Sequence, residues 1–542
     1  MADTVREIER KYEADDDSRL PGLTGVAGVA TVAERGVDAL DATYYDTAGQ
    51  RLAADGITLR RRTGGDDAGW HLKLPVEPGV RDEIRVPLGE AEKPDDPVPA
   101  ELAGLVRSRV RTARLAPLVR LRTERTVRHL LDADGALIAE LAVDRVGAQR
   151  LSPDGQGVGE QVRWAEVEVE LADGGDPRVL DGIEARLVAS GLRPASAPSK
   201  LARALAETEP GRPAKPDSKG NVRKSRAESK SRSKPKPKSA SKSGSKSAKA
   251  TAGDHVLAFL RTQVRAVIEL DPAVRRDLPD SVHRMRVATR RLRSAFKSYG
   301  KVLDREATDP VGEELKWLAG ELGVDRDREV LTERLRQRLA ELPGTLLMGP
   351  VQSRLRIWSG VRRAGSREAL ITVLDSGRYL TLLDSLDRLV AAPPLLPAAA
   401  GPPRTVFPKA VLRDYRRLAG RVDAALAMEP GPERDLALHS ARKAAKRARY
   451  SAEAARPVLG KPAKRFAKRM KAVQQVLGDH QDSVVARSTL REIAVQAYAA
   501  GENPFAFGVM YGREREQADL RELELPRTWR AASGRKLRSA LG

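Results

Sequence analysis

The chain has 542 residues, with 97 Lys and Arg against 75 Asp and Glu, and it contains no Cys. This length exceeds one ordinary domain, so we expect two or three. The absence of Cys excludes disulfides, thiolate metal sites and cysteine nucleophiles, which leaves oxygen and His as ligands for any metal. Aromatic residues make up only 4% of the chain, which disfavours single-stranded nucleic-acid binding through base stacking.

Charge is distributed unevenly along the chain. Residues 1–208 hold 29 basic and 37 acidic side chains, residues 209–252 hold 14 and 3, and residues 253–542 hold 54 and 35. An acidic module is therefore joined by a basic linker to a strongly basic module, which indicates a polyanionic partner. No stretch approaches 18 uninterrupted apolar residues, so we expect a cytoplasmic protein without a membrane partner.

Residues 1–208 contain short segments that alternate with a period of two, which is typical of β-strands. They are 5–12, 57–62, 70–74, 83–88, 120–131, 136–144 and 161–171. In the first segment Glu7, Glu9 and Lys11 share one face, and in the last Glu166, Glu168 and Glu170 do so. On an open sheet these faces would simply be solvated. Because the opposite faces are apolar and suited to packing against helices, the charged faces are predicted to line the lumen of a closed antiparallel β-barrel.

Such a lumen is suited to binding phosphate chains and metal ions. Carboxylates from the first and last strands become neighbours when the sheet closes, and their oxygens are ligands that Mg²⁺ or Mn²⁺ prefers. Guanidinium and ammonium groups fit phosphate oxygens. The cations expected to contact a phosphate chain are Arg60, Arg62, Lys73 and Arg125.

Glu7-Ile8-Glu9-Arg10-Lys11 resembles the E-x-E-x-K signature of the CYTH domain, the triphosphate tunnel metalloenzyme family. Seven further motifs follow in the family's order over residues 1–208: Tyr44-Tyr45-Asp46-Thr47, Leu59-Arg60-Arg61-Arg62, His71-Leu72-Lys73-Leu74-Pro75, Thr123-Glu124-Arg125, Val143-Asp144, Glu168-Val169-Glu170-Leu171 and Ser199-Lys200. The family includes inorganic triphosphatases, thiamine triphosphatases and class IV adenylate cyclases.

The resemblance implies roles for eleven residues. The divalent metal, Mg²⁺ or Mn²⁺, would be bound by Glu7, Glu9, Asp144, Glu168 and Glu170. The triphosphate, and the charge of its transition state, would be bound by Lys11, Arg60, Arg62, Lys73, Arg125 and Lys200. Three assignments stay open: Arg122 lies near Arg125 on the opposite strand phase, Arg85 is either a further cation of the site or part of a cross-strand ion pair, and Glu140 and Glu166 belong to the site or to its rim.

Residues 209–252 are rich in Lys, Ser, Pro, Ala and Gly, with Val222 as the sizeable apolar residue. A segment of this composition has too few apolar side chains to form a hydrophobic core, so we expect a disordered linker. Its charge either binds polyphosphate or nucleic acid, non-specifically, or merely keeps a soluble linker extended.

Residues 253–530 change to helical periodicity and contain an internal repeat. At an offset of 156 residues, the run from Ser281 to Arg293 aligns with the run from Ala437 to Arg449, so that His283 falls on His439. At an offset of 155, Leu322-Gly323 falls on Leu477-Gly478 and Asp327 on Asp482. These matches predict two similar helical units. The remaining residues, 531–542, form a basic C-terminal tail.

Each repeat carries basic residues along one stripe of a helix. A solvated Lys and Arg face would be the ordinary interpretation, but it does not explain why the same spacing occurs twice. Two such ridges brought together would form a cationic groove that requires a polyanion. The candidate residues are His283, Arg286, Arg290, Arg293, His439, Arg442, Lys446 and Arg449, with Arg261, Arg265, Arg417 and Arg421 from the preceding helices.

The H-x-x-R-x-x-x-[RK]-R-x-R runs and the two Leu-Gly segments resemble the CHAD domain, a helical module of two four-helix repeats. The resemblance implies binding of inorganic polyphosphate without catalysis. His283 and His439 would donate hydrogen bonds to phosphate, or they are helix-capping or core residues. Metal ligation by them is disfavoured, because six scattered His give no H-E-x-x-H spacing.

Three classes of function follow. The first is a metal-dependent hydrolase of inorganic tripolyphosphate or short polyphosphate, with the helical domain holding polyphosphate nearby. The second is a non-catalytic polyphosphate-binding protein located at polyphosphate granules, and the third is a nucleic-acid-associated protein. Thiamine triphosphatase and class IV adenylate cyclase activity remain alternatives for the first. The chain has no G-x-x-x-x-G-K-[ST] segment and no G-x-S-x-G segment, which disfavours P-loop and serine hydrolase chemistry.

Overall fold

The computed structural model describes residues 3–15, 19–89, 97–209, 250–361 and 366–542, apart from the side chains of 324–327, 361 and 366. The chain divides into two compact units, and the division falls within the predicted linker. Most of that linker, residues 210–249, lies outside the described residues, so its predicted disorder stays a prediction. Among the described residues, no helix combines the length and apolarity needed to cross a membrane.

The N-terminal unit is an antiparallel sheet closed into a ring. Its strands, in chain order, are β1 (Asp3–Ala14), β2 (Thr31–Asp46), β3 (Thr58–Thr63), β4 (Gly69–Glu77), β5 (Val80–Pro87), β6 (Ala116–Leu131), β7 (Leu137–Leu151), β8 (Gly157–Leu171) and the short β9 (Arg193–Pro194). The order around the ring is β1-β5-β4-β3-β2-β6-β7-β8, and β8 pairs again with β1. This closure confirms the ring that the alternating charged faces predict.

β1 closes the ring by changing its partner half-way along. Its residues 3–8 pair with β5, and its residues 9–14 pair with β8. The register places Glu7 opposite Arg81 and Glu9 opposite Glu170. The acidic residues of the first and last long strands therefore become neighbours, as the sequence predicts.

Alternation decides which side chains face outward. Four helices accompany the ring: α1 (Arg51–Ala54), α2 (Ala100–Val110), α3 (Arg178–Ala189) and α4 (Lys200–Glu207). Val167, Val169 and Leu171 of β8 point outward and pack against the apolar side of α3. A second outer cluster joins β3, β4 and β5 to α2. The apolar strand phases therefore pack against helices and the charged phases face the lumen.

α4 packs differently, because it lies against inward-facing residues at one end of the ring. Its Leu201 and Ala204 are buried with residues of the inward phase of β2, β6, β7 and β8, namely Ala42, Tyr44, Val119, Leu121, Val146, Ala148 and Trp164. The Ser199 hydroxyl caps α4 by accepting a hydrogen bond from the Ala202 amide at 3.1 Å. The first residue of the helix, Lys200, consequently lies at the lumen.

The sequence analysis misses β2, although it is one of the two longest strands of the ring. Its pairing with β6 shifts register between Glu34 and Gly36, and Gly36 has a φ of 117°. Such a bulge interrupts the period-two alternation on which the recognition of strands depends. The part of β2 that the sequence analysis does identify is its C-terminal end, where the motif Tyr44-Tyr45-Asp46-Thr47 begins.

The C-terminal unit is helical throughout its described residues. Its helices are α5 (Ala252–Arg275), α6 (Ser281–Ser298), α7 (Arg305–Ala340), α8 (Val351–Val361), α9 (Ser366–Asp375), α10 (Gly377–Ala391), α11 (Pro403–Leu426), α12 (Pro432–Ala454), α13 (Arg456–Leu459), α14 (Lys461–Ala499), α15 (Phe505–Ala532) and α16 (Arg535–Ser539). The order of α5, α6 and the long α7 recurs as α11, α12 and the long α14. This recurrence agrees with the duplication read from the sequence.

One apolar core joins both repeats of the helical unit. It contains Met285, Leu292 and Phe296 from α6 together with Ala441 and Ala448 from α12. The basic residues on the same two helices lie on other faces, as helical periodicity requires. A smaller cluster, built on Leu335, Trp358 and Met510 among others, joins α7, α8, α14 and α15.

Candidate active site and basic groove

The lumen of the strand ring is a charged cavity of about 670 Å³. Ten of the eleven predicted site residues line it: Glu7, Glu9, Lys11, Arg60, Arg62, Lys73, Arg125, Glu168, Glu170 and Lys200. Asp144 is fully buried behind them and contacts two of the cations. The structure therefore brings the predicted residues of the N-terminal unit together in one place.

Lys200 neutralises three carboxylates at the inner end of the lumen. Its Nζ lies 2.8 Å from Asp144, 2.9 Å from Glu166 and 2.5 Å from Glu168. Burial opposes the charged form of Lys200, but these carboxylates hold its pKa well above the usual value. Glu166, left open by the sequence, is therefore part of this cluster.

Arg125 forms the second bridge between the carboxylates. Its guanidinium donates two hydrogen bonds to Asp144, at 2.8 and 2.7 Å, and one to Glu168 at 2.6 Å. Arg122 lies on the outer face and is 64% exposed, 3.7 Å from Asp41. The ambiguity of register between the two arginines is thus resolved in favour of Arg125.

The carboxylates of β1 are also held by cations. Lys73 contacts both carboxylate oxygens of Glu7, at 2.7 and 2.8 Å. Lys11 lies 3.0 Å from Glu9 and also contacts Glu168. Burial favours protonation, but Lys11, Lys200 and Arg125 together hold the pKa of Glu168 well below its usual range.

The two arginines of β3 have different partners. Arg60 donates a hydrogen bond to the Tyr44 hydroxyl at 3.3 Å. Arg62 contacts Asp67 of the β3–β4 loop. Burial, together with the nearby Arg60 and Arg125, lowers the pKa of Arg62 to about 9. An anion placed between these guanidinium groups would relieve their mutual repulsion.

Glu83 lines the lumen and the buried His71 contacts it, although the sequence analysis identifies neither as a site residue. The His71 Nδ1 and a Glu83 oxygen are 2.9 Å apart, and burial lowers the pKa of His71 to about 4. Glu83 also lies 3.4 Å from Lys73 and contacts Arg85. Arg85 therefore forms a cross-strand ion-pair network that reaches Glu7 at 3.7 Å. The strand phase that Glu83 shares with Arg85 is the signal that could have identified it.

Glu170 differs from the other carboxylates, because it forms no ion pair with any described residue. Burial and the neighbouring Glu7, Glu9 and Glu168 raise its pKa to about 7. A carboxylate surrounded by carboxylates lacks one positive charge, and oxygen donors of this kind match a hard divalent cation. Glu170 and the neighbouring Glu7, Glu9 and Glu168 therefore offer oxygen donors of the kind that a divalent cation prefers.

In the helical unit, the two predicted ridges face one another. Burial and the nearby Arg442, Arg290 and Arg286 lower the pKa of Lys446 to about 7. Arg286 and Arg290 come from α6 and the other two residues from α12, so cations of both repeats meet here. We call the half-buried cations between α6 and α12 the basic groove.

A second part of the basic groove surrounds Arg447. Burial lowers the pKa of Arg447, and Arg417, Arg421 and Arg293 lower it further. Arg421 additionally donates a hydrogen bond to the Ser440 carbonyl at 3.0 Å. The predicted Arg293, Arg417 and Arg421 are therefore brought together around one position.

The remaining candidates make other contacts. Arg449 binds Glu453 at 2.9 Å and Gln474 at 3.0 Å, whereas Arg265 pairs with Glu269 on its own helix. Arg261 donates to a carbonyl oxygen of α10. His283 is exposed and His439 half-buried.

The repeated Leu-Gly motifs leave space for two arginines of the groove. A Cβ on Gly323 would lie 2.8 Å from the Arg286 guanidinium, and one on Gly478 would lie 3.5 Å from that of Arg442. Glycine inside a helix costs about 1 kcal/mol of helix stability relative to alanine. We interpret this cost as the result of leaving space for the arginine side chain at each position. Asp482 of the second motif lies 3.4 Å from Arg442. The side chain of Asp327, its counterpart, lies outside the described residues.

One further His and carboxylate cluster lies between α12, α14 and α15. The Nε2 of His480 is 3.3 Å from Asp435 and 3.1 Å from Glu522. Arg487 and Arg434 pair with the other oxygens of these carboxylates at 3.0 and 2.9 Å. Because both acids are already neutralised, we interpret the cluster as an ion-pair network that fastens three helices.

Comparison with known proteins agrees with this architecture. Residues 5–205 match the CYTH domain and residues 258–491 match the CHAD domain. The chain is also 37% identical over 533 residues to the "Uncharacterized protein Rv2226" of Mycobacterium tuberculosis strain ATCC 25618 / H37Rv, covering 95% of this chain and 93% of that protein. The chain belongs to the family of proteins that join a CYTH domain to a CHAD domain. CYTH proteins are metal-dependent triphosphatases and cyclases that act on triphosphate substrates.

Solved structures also resemble parts of the CYTH–CHAD chain. PptA from Streptomyces chartreusis is 22% identical, with a TM-score of 0.45 over 52% of this chain and 99% of its own. A putative adenylyl cyclase from Hippeastrum, HpAC1, described as having a dominant triphosphatase activity, is 18% identical, with a TM-score of 0.23 over 37% of this chain and 95% of its own.

Proposed function

We propose that the CYTH domain hydrolyses inorganic tripolyphosphate or short polyphosphate with Mg²⁺ or Mn²⁺, and that the CHAD domain binds inorganic polyphosphate in the basic groove. The observation that carries the first part is the composition of the lumen. Cations and carboxylates alternate on its inward faces, and Glu170 alone among the predicted acidic residues forms no ion pair with the described residues. A triphosphate and a divalent cation are complementary to these two sets.

The ion pairs of the lumen imply an exchange of partners when substrate binds. Phosphate oxygens would replace carboxylates on Lys11, Lys73, Arg125 and Lys200. The released carboxylates of Glu7, Glu9 and Glu168, with Glu170, would hold the cation. A divalent cation bound there would neutralise charge on the terminal phosphoryl group and lower the pKa of a bound water.

The reaction itself is a hydrolysis. Water adds to the terminal phosphorus, the bridging P–O bond breaks, and orthophosphate and pyrophosphate leave. The cations stabilise charge on the non-bridging oxygens, and their fixed positions avoid the cost of reorganising solvent. The apolar contacts of α4 shield the inner end of the lumen from bulk solvent, which strengthens these interactions.

The lining favours a triphosphate without an organic group. Tyr44 and His129 are its aromatic side chains, and among the described lining residues there is no Phe or Trp to stack on a base or a thiazolium ring. Aromatic stacking is the usual way of binding such rings. This composition supports inorganic tripolyphosphate over ATP or thiamine triphosphate.

Phosphate release by the full chain tests the proposal. The substrates are tripolyphosphate, ATP, thiamine triphosphate and long-chain polyphosphate, each with Mg²⁺, Mn²⁺ or chelator. We expect metal-dependent turnover with tripolyphosphate as the preferred substrate. Cyclic AMP formation from ATP would instead favour the cyclase, and faster turnover of thiamine triphosphate the thiamine triphosphatase. Binding of polyphosphate without turnover of any of the four substrates would instead support a non-catalytic polyphosphate-binding protein.

The case for the CHAD domain rests on half-buried cations of like charge. Charged groups are rarely withdrawn from water without partners, yet burial lowers the pKa values of Arg293, Lys446 and Arg447. Neighbouring cations lower the pKa values of Lys446 and Arg447 further, although Asp482 and Asp414 partly oppose these shifts. A linear polyanion would supply the missing negative charge along the whole groove. Location at polyphosphate granules would follow from such binding.

Lys446 makes the binding of polyphosphate dependent on pH. Its pKa of about 7 means that half of the molecules lack this charge at pH 7, and a bound polyanion restores it by raising the pKa. We expect long-chain polyphosphate to bind up to about fivefold more weakly at pH 8 than at pH 7, with proton uptake. Titration calorimetry in two buffers of different ionisation enthalpy measures the uptake.

Lys446→Gln provides the comparison for this prediction. It removes the titrating group but leaves His439, whose pKa is lowered below its usual value by burial and nearby cations, and which titrates at lower pH. The variant should lose the proton uptake between pH 7 and 8. If it shows the same uptake as the unmodified protein, Lys446 is not the responsible group.

Gly323→Ala tests whether the Leu-Gly motif serves Arg286. The new Cβ would displace the guanidinium, while alanine strengthens the helix by about 1 kcal/mol. We expect weaker polyphosphate binding, by about threefold to tenfold, without loss of thermal stability. Gly320→Ala on the same helix is the matched control, since a Cβ at that position would meet no other atom within 4 Å. Equal binding by both variants would contradict the proposed role of the motif.

A further inference from the structure

The first three turns of α14 carry a dense set of cations outside the basic groove. Between Lys461 and Gly478 there is no acidic residue. The six cations in this stretch are all exposed to solvent: Lys461, Lys464, Arg465, Lys468, Arg469 and Lys471. We call these six residues the α14 stripe.

The cations of the α14 stripe are not neutralised by their surroundings. None of the six forms a salt bridge with a carboxylate of the described residues, although other arginines of α12 and α14 do so. Arg434 and Arg449 on α12 and Arg487 on α14, for example, each pair with an acid. The stripe therefore concentrates positive charge in a domain that already has an excess of it.

The internal duplication provides a comparison within the same chain. At the offset of 155 residues that aligns the two Leu-Gly motifs, α7 of the first repeat corresponds to α14. Four of the six stripe positions are acidic in α7: Glu306, Asp309, Glu313 and Glu314 stand where α14 has Lys461, Lys464, Lys468 and Arg469. Three of these acids form ion pairs, with Arg305, Lys316 and Arg378. The fold therefore does not require cations at these four positions.

Contacts of α14 show which side of the helix faces the basic groove. Gln474 accepts a hydrogen bond from Arg449 at 3.0 Å, and Asp482, two turns later, lies 3.4 Å from Arg442. At 3.6 residues per turn, Lys471 and Lys464 lie about 60° and 80° around the helix from Gln474, on the side of Asp482. Lys464, Lys468 and Lys471 therefore continue the groove-facing side of α14 toward its N-terminus, whereas Arg465 and Arg469 lie about 180° and 140° from Gln474, on the outer side of the helix.

We propose that the α14 stripe extends the basic groove, so that a long polyphosphate chain leaves the groove past Arg449 and continues along α14 for about 20 Å. This inference rests on the proposed binding of polyphosphate by the CHAD domain, and it specifies the path that the polyphosphate chain follows beyond the basic groove. The polyphosphate chain extends over the second repeat, because the corresponding surface of the first repeat has acids at four of the six positions and no comparable excess of cations. The stripe thereby selects long chains over short ones.

Polyphosphate suits this surface better than a duplex nucleic acid does. The cations of the groove are half-buried between two packed helices, where a thin chain without bases can reach them. The α14 stripe consists of cations alone, and Phe466, which lies between them in the sequence, is buried in the core, so no aromatic side chain of residues 461–471 is available for stacking. Binding would depend on phosphate charge alone and weaken steeply with salt.

The test compares two triple variants of the full chain in chelator, which prevents metal-dependent turnover. Lys464→Ala, Lys468→Ala and Lys471→Ala together remove half of the stripe. Arg336→Ala, Arg356→Ala and Arg491→Ala remove the same charge from exposed positions on α7, α8 and the opposite side of α14. The probes are long-chain polyphosphate, linear pentaphosphate and a duplex DNA, titrated at two salt concentrations.

We expect the stripe variant to bind long-chain polyphosphate at least about tenfold more weakly, with a smaller salt dependence. Its affinity for pentaphosphate should equal that of the unmodified protein, and the control variant should retain both affinities. Equal loss in both variants, loss that includes pentaphosphate, or loss of DNA binding alone would overturn the inference. If Lys446→Gln weakens polyphosphate binding and the stripe variant does not, the role of the α14 stripe is refuted, whereas binding in the basic groove is supported. No polyphosphate binding by the unmodified chain would instead refute the proposed function.

Discussion

Glu170→Gln is expected to lower metal-dependent hydrolysis of tripolyphosphate by at least about 100-fold and, in the absence of metal, to stabilise the CYTH domain at pH 8. Both effects have one cause, because Glu170 adds a negative charge beside Glu7, Glu9 and Glu168 without a compensating cation. The charge is needed to hold the divalent ion and is unfavourable without it. Calorimetric unfolding and phosphate release measure the two effects.

The pH dependence of this stabilisation follows from the raised pKa of Glu170. Below pH 4.5 the carboxyl is protonated in both folded and unfolded chains, so the substitution should have little effect there. Above pH 7 the folded protein carries the unfavourable charge, and its removal should contribute up to about 3 kcal/mol. Glu160→Gln, at an exposed position of the same strand, is the control and should change neither property. A less stable Glu170→Gln protein at pH 8 would refute the argument.

Lys200→Met is expected to destabilise the CYTH domain by about 3–5 kcal/mol and to abolish hydrolysis, because it leaves Asp144, Glu166 and Glu168 with too few cations. The ammonium contacts all three carboxylates within 2.9 Å. Hydrogen exchange of β7 and β8, which carry these acids, measures the local loss of stability in the full chain.

Acid should reduce this destabilisation. The carboxylates Asp144 and Glu168 have lowered pKa values in the unmodified protein, so their stabilising contribution is present at neutral pH and lost as the pH falls through those values. In Lys200→Met the same groups protonate at higher pH and become neutral. The difference in stability between the two proteins should therefore be smaller at pH 5 than at pH 7.5. A difference that does not change with pH would indicate lost packing rather than lost charge.

The sequence predicts the ring well where strands alternate without interruption. The phase of Glu168 and Glu170 against Val167 and Val169 identifies both faces of β8, and the structure confirms it. β2 is not recognised as a strand in the sequence, because a bulge at Gly36 shifts the alternation of its inward and outward side chains. The order of the strands cannot be read from the sequence either. β1 pairs with β5 along one half and with β8 along the other, and this depends on how the sheet closes in three dimensions.

The site is predictable in its residues but not in their pairing. Periodicity shows that Lys73 and Glu83 point inward, yet it cannot show that His71 lies against Glu83 or that Asp144 is covered by Arg125 and Lys200. In the CHAD domain, the matching spacing of His283 and His439 reveals the ridges. That they face one another depends on the packing of α6 on α12, which the sequence encodes only through its apolar positions.

The position of α4 makes the lumen a dead end. Because Leu201 and Ala204 fill the ring at the inner end together with Tyr44 and Trp164, a polymer cannot thread through and emerge on the other side. Under the proposed hydrolysis, a phosphate chain would enter only terminus first, and its products would leave through the entrance that the next substrate uses. The enzyme would therefore act as an exo-cleaving one, which shortens chains from their ends, and pyrophosphate that lingers would compete directly with incoming tripolyphosphate.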